Sequence, residues 1–150
     1  MPSDASSAYL RDAVLTAPPE QLQMMLYDGA IRFARQAREA VQDGDLATSC
    51  EKLIRAQRIV LELQNGLRPE VNPSLCAQVG GLYTFVYQRL VDANLTRDVA
   101  KIDEALRILE HLRETWQLLL EKLRDEAPAP AAATVAGETC PEAGCLSVQG

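Results

Sequence analysis

Between residues 17 and 126 apolar side chains return every three or four positions, and short clusters of Gly, Asp, Asn and Pro interrupt the pattern. A spacing near 3.6 held over so long a stretch is what helices need to turn one face to a core; strands would need alternation. The same zone is rich in Leu, Arg, Glu and Gln, which lose little rotamer freedom in a helix. The chain is therefore predicted to be all-α.

The interruptions predict four helices. The first opens at Thr16-Ala17-Pro18-Pro19-Glu20, with Thr16 as N-cap and proline in the first turn, and closes at Asp43-Gly44-Asp45. The second spans about Leu46 to Asn65 and stops at Gly66, with Pro69 and Pro73 beyond it. The third starts near Ser74 as cap and ends around Asn94. After the break Asn94–Asp98, capped by Asp98 or Thr96, the fourth runs to about Asp125. Short connections make successive helices antiparallel neighbours, so the expected fold is an antiparallel four-helix bundle over 17–126. It carries a short N-terminal lead, 1–16, and a tail from Ala127 to Gly150. That tail is Ala/Pro/Gly-rich with only Glu138 and Glu142 charged, and it lacks the large apolar groups that would offset the entropy of ordering it, so it is expected to be disordered.

At about 100° per residue each helix presents one apolar stripe. The expected stripes are Leu22, Met25, Leu26, Gly29, Phe33, Ala37 and Ala40; Leu46, Cys50, Leu53, Ile54, Val60, Leu61 and Leu67; Leu75, Val79, Leu82, Tyr83, Val86, Leu90 and Ala93; and Ile102, Leu106, Leu109, Trp116, Leu120 and Leu123. Further apolar residues fall outside them. Met24, Tyr27 and Ile31 lie opposite the first stripe; Ala56, Ile59 and Leu63 make a second row on the second helix. Tyr87 and Val91 extend beyond the third stripe, and Ile108 and Leu118 beyond the fourth. These rows are either covered by the chain itself or an oligomer partner, or they line a groove for an apolar partner segment. Tyr9 and Leu10, in the lead, could cover part of that surface when no partner is bound. Gly80-Gly81 inside the third helix reads as a site of close backbone approach or as a tolerated defect.

Catalytic patterns are missing. His111 is the single histidine, which removes most acid–base and nucleophile–base pairs and reads as a surface residue. A di-iron bundle requires Glu-x-x-His on two helices, and Ile108 stands where that glutamate would be. There is no phosphate-binding glycine loop. Cys140 and Cys145 offer two thiols without further ligands, where structural metal sites use four; Cys50 and Cys76 read as small core hydrophobes. No cofactor, no metal and no enzymatic activity are expected. Fifteen Lys and Arg against 21 Asp and Glu leave a net charge of -6, which opposes nucleic-acid binding. No stretch is apolar enough to insert in a membrane, and the start lacks the regions of a secretory signal, so the expected compartment is the cytoplasm.

Several segments carry a family likeness. Tyr9, Val14-Leu15-Thr16-Ala17-Pro18-Pro19-Glu20-Gln21-Leu22 and Met25-Leu26-Tyr27-Asp28-Gly29-Ala30 resemble the opening of the flagellin-specific export chaperones, the FliS family. Lys52–Leu63, Leu82-Tyr83, Tyr87–Asn94, Asp98 and Trp116 continue the resemblance in order across residues 8–125; Gly80-Gly81 departs from it, and the tail lies outside it. The resemblance implies a cytoplasmic helical bundle that binds the disordered C-terminal segment of flagellin, blocks premature polymerisation and delivers it to the flagellar type III export gate. It also implies that the tyrosine-bearing lead, here Tyr9, occupies part of the binding surface of the free chaperone. The expected groove is Met24, Tyr27, Ile31, Ala56, Ile59, Leu63, Tyr87 and Val91, with Tyr9 and Leu10 as its cover. The alternatives are a constitutive homo-oligomer, with weak self-association as its mildest form, and an adaptor with a redox- or metal-responsive Cys140/Cys145 tail.

Overall fold

The computed structural model of the chain describes residues 19–126. Four helices make up almost all of it: α1 (Pro19–Gln42), α2 (Leu46–Asn65), α3 (Pro73–Thr96) and α4 (Val99–Glu126). No strand occurs among the described residues. The lead with Thr16, Tyr9 and Leu10, and the tail with Cys140 and Cys145, lie outside the described residues.

Each helix ends for a local reason. Gly44, at φ +78°, takes the left-handed conformation that stops α1. Asp45 then caps α2 by accepting from the Thr48 amide (3.2 Å) and hydroxyl (2.7 Å). Those two bonds hold the Asp45 carboxyl below its ordinary pKa. Asn72, not Ser74, caps α3, through its side-chain oxygen and the Leu75 amide at 3.1 Å, because Pro73 already occupies the first helical position. Arg97 closes α3 in the left-handed region (φ 57°), and Asp98 receives the Ala100 amide at 2.9 Å.

Up to Trp116 the chain forms one unit. Its buried seams step by three and four residues on every helix: Tyr27, Ala30, Ala34, Ala37; Ser49, Leu53, Ala56, Val60, Leu63; Tyr83, Val86, Leu90, Ala93; Ile102, Ala105, Leu109, Leu112. A mean step of 3.5 is the repeat of gently crossing antiparallel bundles. Cross-helix bonds between successive helices, and between the first and the last, run antiparallel, with Arg38 donating to Asp103 and Arg35 to Glu110 between α1 and α4, and Asn94 donating to Cys50 and Gln64 to Thr84 between α2 and α3.

The seam of α1 is made of small residues. Gly29, Ala30, Ala34 and Ala37 let its backbone pack close against α2 along much of its length. A Cβ on Gly29 would stand 3.1 Å from Cδ1 of Ile59. This corrects the expected α1 stripe. Leu22, Met25, Leu26 and Phe33 are only half-buried, while Tyr27 and Ile31, placed opposite the core by their neighbours' bulk, are buried in it. The true face is turned by about a quarter turn, since the closest packing selects the smallest side chains. Leu46, Leu61 and Leu75, expected inside, are exposed; on α2 and α3 the seam is narrower than the apolar stripe. Cys50 and Cys76 are half-buried, and His111 is exposed.

Gln117–Glu126 belongs to a second unit and is helical, the last turns of α4. Leu118, Leu119 and Leu123 are exposed there, so Leu123 is not the core residue its spacing suggested.

Candidate functional site

Antiparallel packing brings the start of α1, the end of α2, the start of α3 and Trp116 to one end of the bundle. A cavity of about 430 Å³ opens between them, with Pro19, Gln23, Leu67, Val71, Leu75 and Trp116 among its walls. Local chemistry builds each wall. Gly66 closes α2 by donating to the carbonyls of Glu62 and Leu63, which sends Leu67 back toward α3. Leu67 there packs beside Gly80, where an added Cβ would sit 3.4 Å from Cδ1 of Leu67. The Val71 amide bonds to the Arg68 carbonyl at 3.0 Å, and this turn carries Val71 out to 77% exposure. Leu75 follows in the first turn of α3 at 53%.

Trp116 Nε1 donates to the Glu20 carbonyl at 3.1 Å, fastening α4 to the first turn of α1 and holding the indole in the cavity wall. Beneath, Gln23 Nε2 donates to the hydroxyls of Tyr27 and Tyr83 at 3.3 Å each, and those two hydroxyls share a 2.6 Å bond. Burial, reinforced by the bond to Tyr27, raises the Tyr83 pKa far above the ordinary value, so Tyr83 is neutral at any physiological pH. A second hollow of about 390 Å³ adjoins the first through Leu67 and Cys76 and is walled by Gln64, Pro69, Pro73 and Ala77.

Charge is nearly excluded from this end. Residues 71–88 contain no charged side chain, and Glu20 and Arg68 are the charged residues at the cavity wall. Among the described residues no group of three or more His, Cys, Asp or Glu side chains could hold a metal ion. The arrangement suits apolar side chains of a polypeptide: greasy walls, a polar floor and open ends.

The residues expected to form the groove fall in four places. Tyr27, Ile31, Ala56 and Leu63 are buried in the core, which corrects their outward assignment. Ala56 and Leu63 lie on the seven-residue seam of α2, and Tyr27 and Ile31 follow the turned face of α1. Ile59 is half-buried against Gly29 on the flank of α2 toward α1. Tyr87 and Val91, also half-buried, lie in one helical row with Thr84 and Asn94, whose bonds to Gln64 and Cys50 turn that row toward the other flank of α2. Met24 shares the row of Asp28 and Arg35, which faces α4. These four do not share one depression. The cavity instead uses Leu67, Leu75 and Trp116, which the apolar spacing assigns to the core, together with Val71 and Gln23, which fall on none of the apolar stripes. The available signal was the apolar pair Leu67 and Val71 in a loop that should be polar.

The sequence profile described as flagellar protein FliS matches residues 2–123. The flagellar secretion chaperone FliS of Bacillus subtilis is 33% identical over 120 residues, covering 80% of this chain and 89% of that protein. The flagellar secretion chaperone FliS of Salmonella typhimurium is 32% identical over 114 residues, covering 75% and 84%. A crystal structure of a bacterial flagellar chaperone superposes with a TM-score of 0.66 at 24% identity, over 81% of this chain and 99% of that one, and shows the same fold. Profile, relatives and fold agree along nearly the whole helical region, and the chain belongs to the FliS family of flagellar secretion chaperones.

Proposed function

We propose that the chain is a cytoplasmic chaperone that binds the disordered C-terminal segment of flagellin, keeps it from polymerising early and hands it to the flagellar export gate. The observation that supports this reading is the apolar cavity at the end of the bundle, continued by the charge-free stretch 73–88 of α3 with Leu75 and Phe85 exposed. A soluble helix of a monomer ordinarily carries charge on such a face. A long unstructured guest needs a long contact, because ordering it costs several kcal/mol. Met24, Ile59, Tyr87 and Val91 are half-buried and would serve only as flanking contacts.

The lead would be the resting cover. Pro19 stands in the cavity wall, and the ten positions back to Tyr9 span up to about 33 Å when extended, enough to lay Tyr9 and Leu10 over Val71 and Leu75.

Calorimetry with a flagellin C-terminal peptide tests the proposal. Val71→Asp with Leu75→Asp changes two exposed side chains and should leave helicity intact. Each native side chain would contribute about 1–2 kcal/mol by completing its burial, so the double variant should bind at least ten-fold more weakly. Unchanged affinity would remove the cavity from the site. Deleting residues 1–12 should leave the bundle folded and tighten binding or speed exchange; if neither moves, the lead is no cover. A mass measurement separates the competing oligomer reading, since a chaperone is small when alone and forms a defined heterocomplex with the peptide.

A further inference from the structure

The two sides of α1 differ in how their charges are matched. Toward α4, Arg35, Arg38 and Arg113 face Glu110, Asp103 and Asp28 in turn, so that seam is balanced. Toward α2 lies a different arrangement. Phe33 is half-buried against the core, and three cations stand over its ring: Arg32 Cζ at 5.0 Å from the centroid, Lys52 Nζ at 5.6 Å and Arg55 Cζ at 5.6 Å. The negative face of the ring attracts them. Sharing one ring also puts the three charges within roughly one Debye length of each other (about 10 Å at 0.1 M salt), where they repel. Among the described residues one carboxylate offsets them, Glu51, at 3.0 Å from Arg55.

We propose that this cluster is a docking site for an acidic peptide segment of a protein partner, with two or more carboxylates placed to bridge Arg32, Lys52 and Arg55. The chemistry favours that occupant. Guanidinium groups present planar forks that match carboxylates, the lysine adds a point charge, and the Phe33 edge accepts an apolar neighbour of the acidic residues. A long polyanion fits poorly. The chain as a whole carries -6, so a nucleic acid or an anionic bilayer is repelled beyond the patch, whereas a short peptide senses only the local positive field. The site is separate from the apolar cavity: Phe33 lies ten residues beyond Gln23, about 15 Å along α1. It does not depend on what fills that cavity.

The test uses the full chain, ¹⁵N-labelled, titrated with an N-acetylated, C-amidated hexaglutamate peptide in 50 mM salt. Saturable amide shifts should centre on Arg32, Phe33, Lys52 and Arg55. Arg32→Gln with Lys52→Gln and Arg55→Gln should weaken binding at least ten-fold, and 300 mM salt should do the same to the unmodified protein. Phe33→Leu, which keeps an apolar side chain on the core but removes the ring, should weaken binding several-fold at unchanged helicity. Arg107→Gln, an exposed cation on α4, should bind like the unmodified protein. Absence of saturable shifts, shifts centred on other cations, or a triple variant that binds undiminished would overturn the proposal. So would a short DNA duplex that shifts the same amides at lower concentration than the peptide.

Discussion

Gly81 offers the sharpest test of how α3 is packed. It lies in the interior of α3, exposed, with an ordinary helical φ, and a Cβ built on it meets no atom within 4 Å. Gly81→Ala should therefore gain the full helix-propensity difference, about 0.5–1 kcal/mol, with no steric cost. Part of the gain comes from the unfolded chain, which loses freedom on acquiring a side chain. With a urea m-value of about 1.5 kcal/mol/M the midpoint should rise by about half a molar at unchanged m. Gly29→Ala is the control. It adds the same methyl group to a helix interior, but at the tight α1–α2 contact, 3.1 Å from Cδ1 of Ile59. Ile59 must shift by a few tenths of an ångström, so the gain should be smaller than at Gly81 or reversed. Chemical denaturation followed by circular dichroism reads both. A destabilised Gly81→Ala, or a Gly29→Ala that gains more, would refute the packing described for these helices. If Gly81→Ala stabilises the free chain yet weakens flagellin binding, the guest backbone approaches α3 at that point.

Two other expectations follow from the cavity and its floor. Native Tyr83 keeps its proton far above pH 10, while an unfolded tyrosine releases its own near pH 10, so the unfolded state binds fewer protons at alkaline pH. Stability from this group is complete below pH 10 and should fall above it by up to about 1.4 kcal/mol per pH unit. Denaturation of Tyr83→Phe between pH 9 and 11 should lack that component, and parallel curves for the two proteins would disprove it. Trp116 is the single tryptophan and lines the cavity; adding a flagellin C-terminal peptide should shift its emission to shorter wavelength. The Val71→Asp, Leu75→Asp protein should show no such shift at the same peptide concentration.

Much of the architecture was legible because helix ends are written locally. Asp43-Gly44-Asp45, Asn65-Gly66 and the Thr96–Asp98 break each act within a turn of chain, and the structure ends its helices there. The start of α3 was missed by two residues, since Asn72 caps ahead of a proline that can serve as the first helical residue. The candidate site was far less legible. Leu63 and Leu61 are two positions apart and equally apolar, yet one is 2% and the other 42% exposed. Nothing in side-chain type separates them. Leu63 falls on the seven-residue seam with Ala56 and Val60, a distinction that exists only once α2 has neighbours.

The pattern of apolar spacing and breaker residues was thus sufficient for four helices and their order, and the run of shared motifs for the family, because these depend on neighbours along the chain. Which face of each helix points inward was decided by packing. On α1 the alanines that permit close packing against α2 outweighed bulkier Leu22, Leu26 and Phe33, a contest between helices that no single helix contains. The same packing left Leu67, Val71, Leu75 and Trp116 around an open cavity, since three helix ends meet there beside Trp116 and the side chains do not fill the space between them.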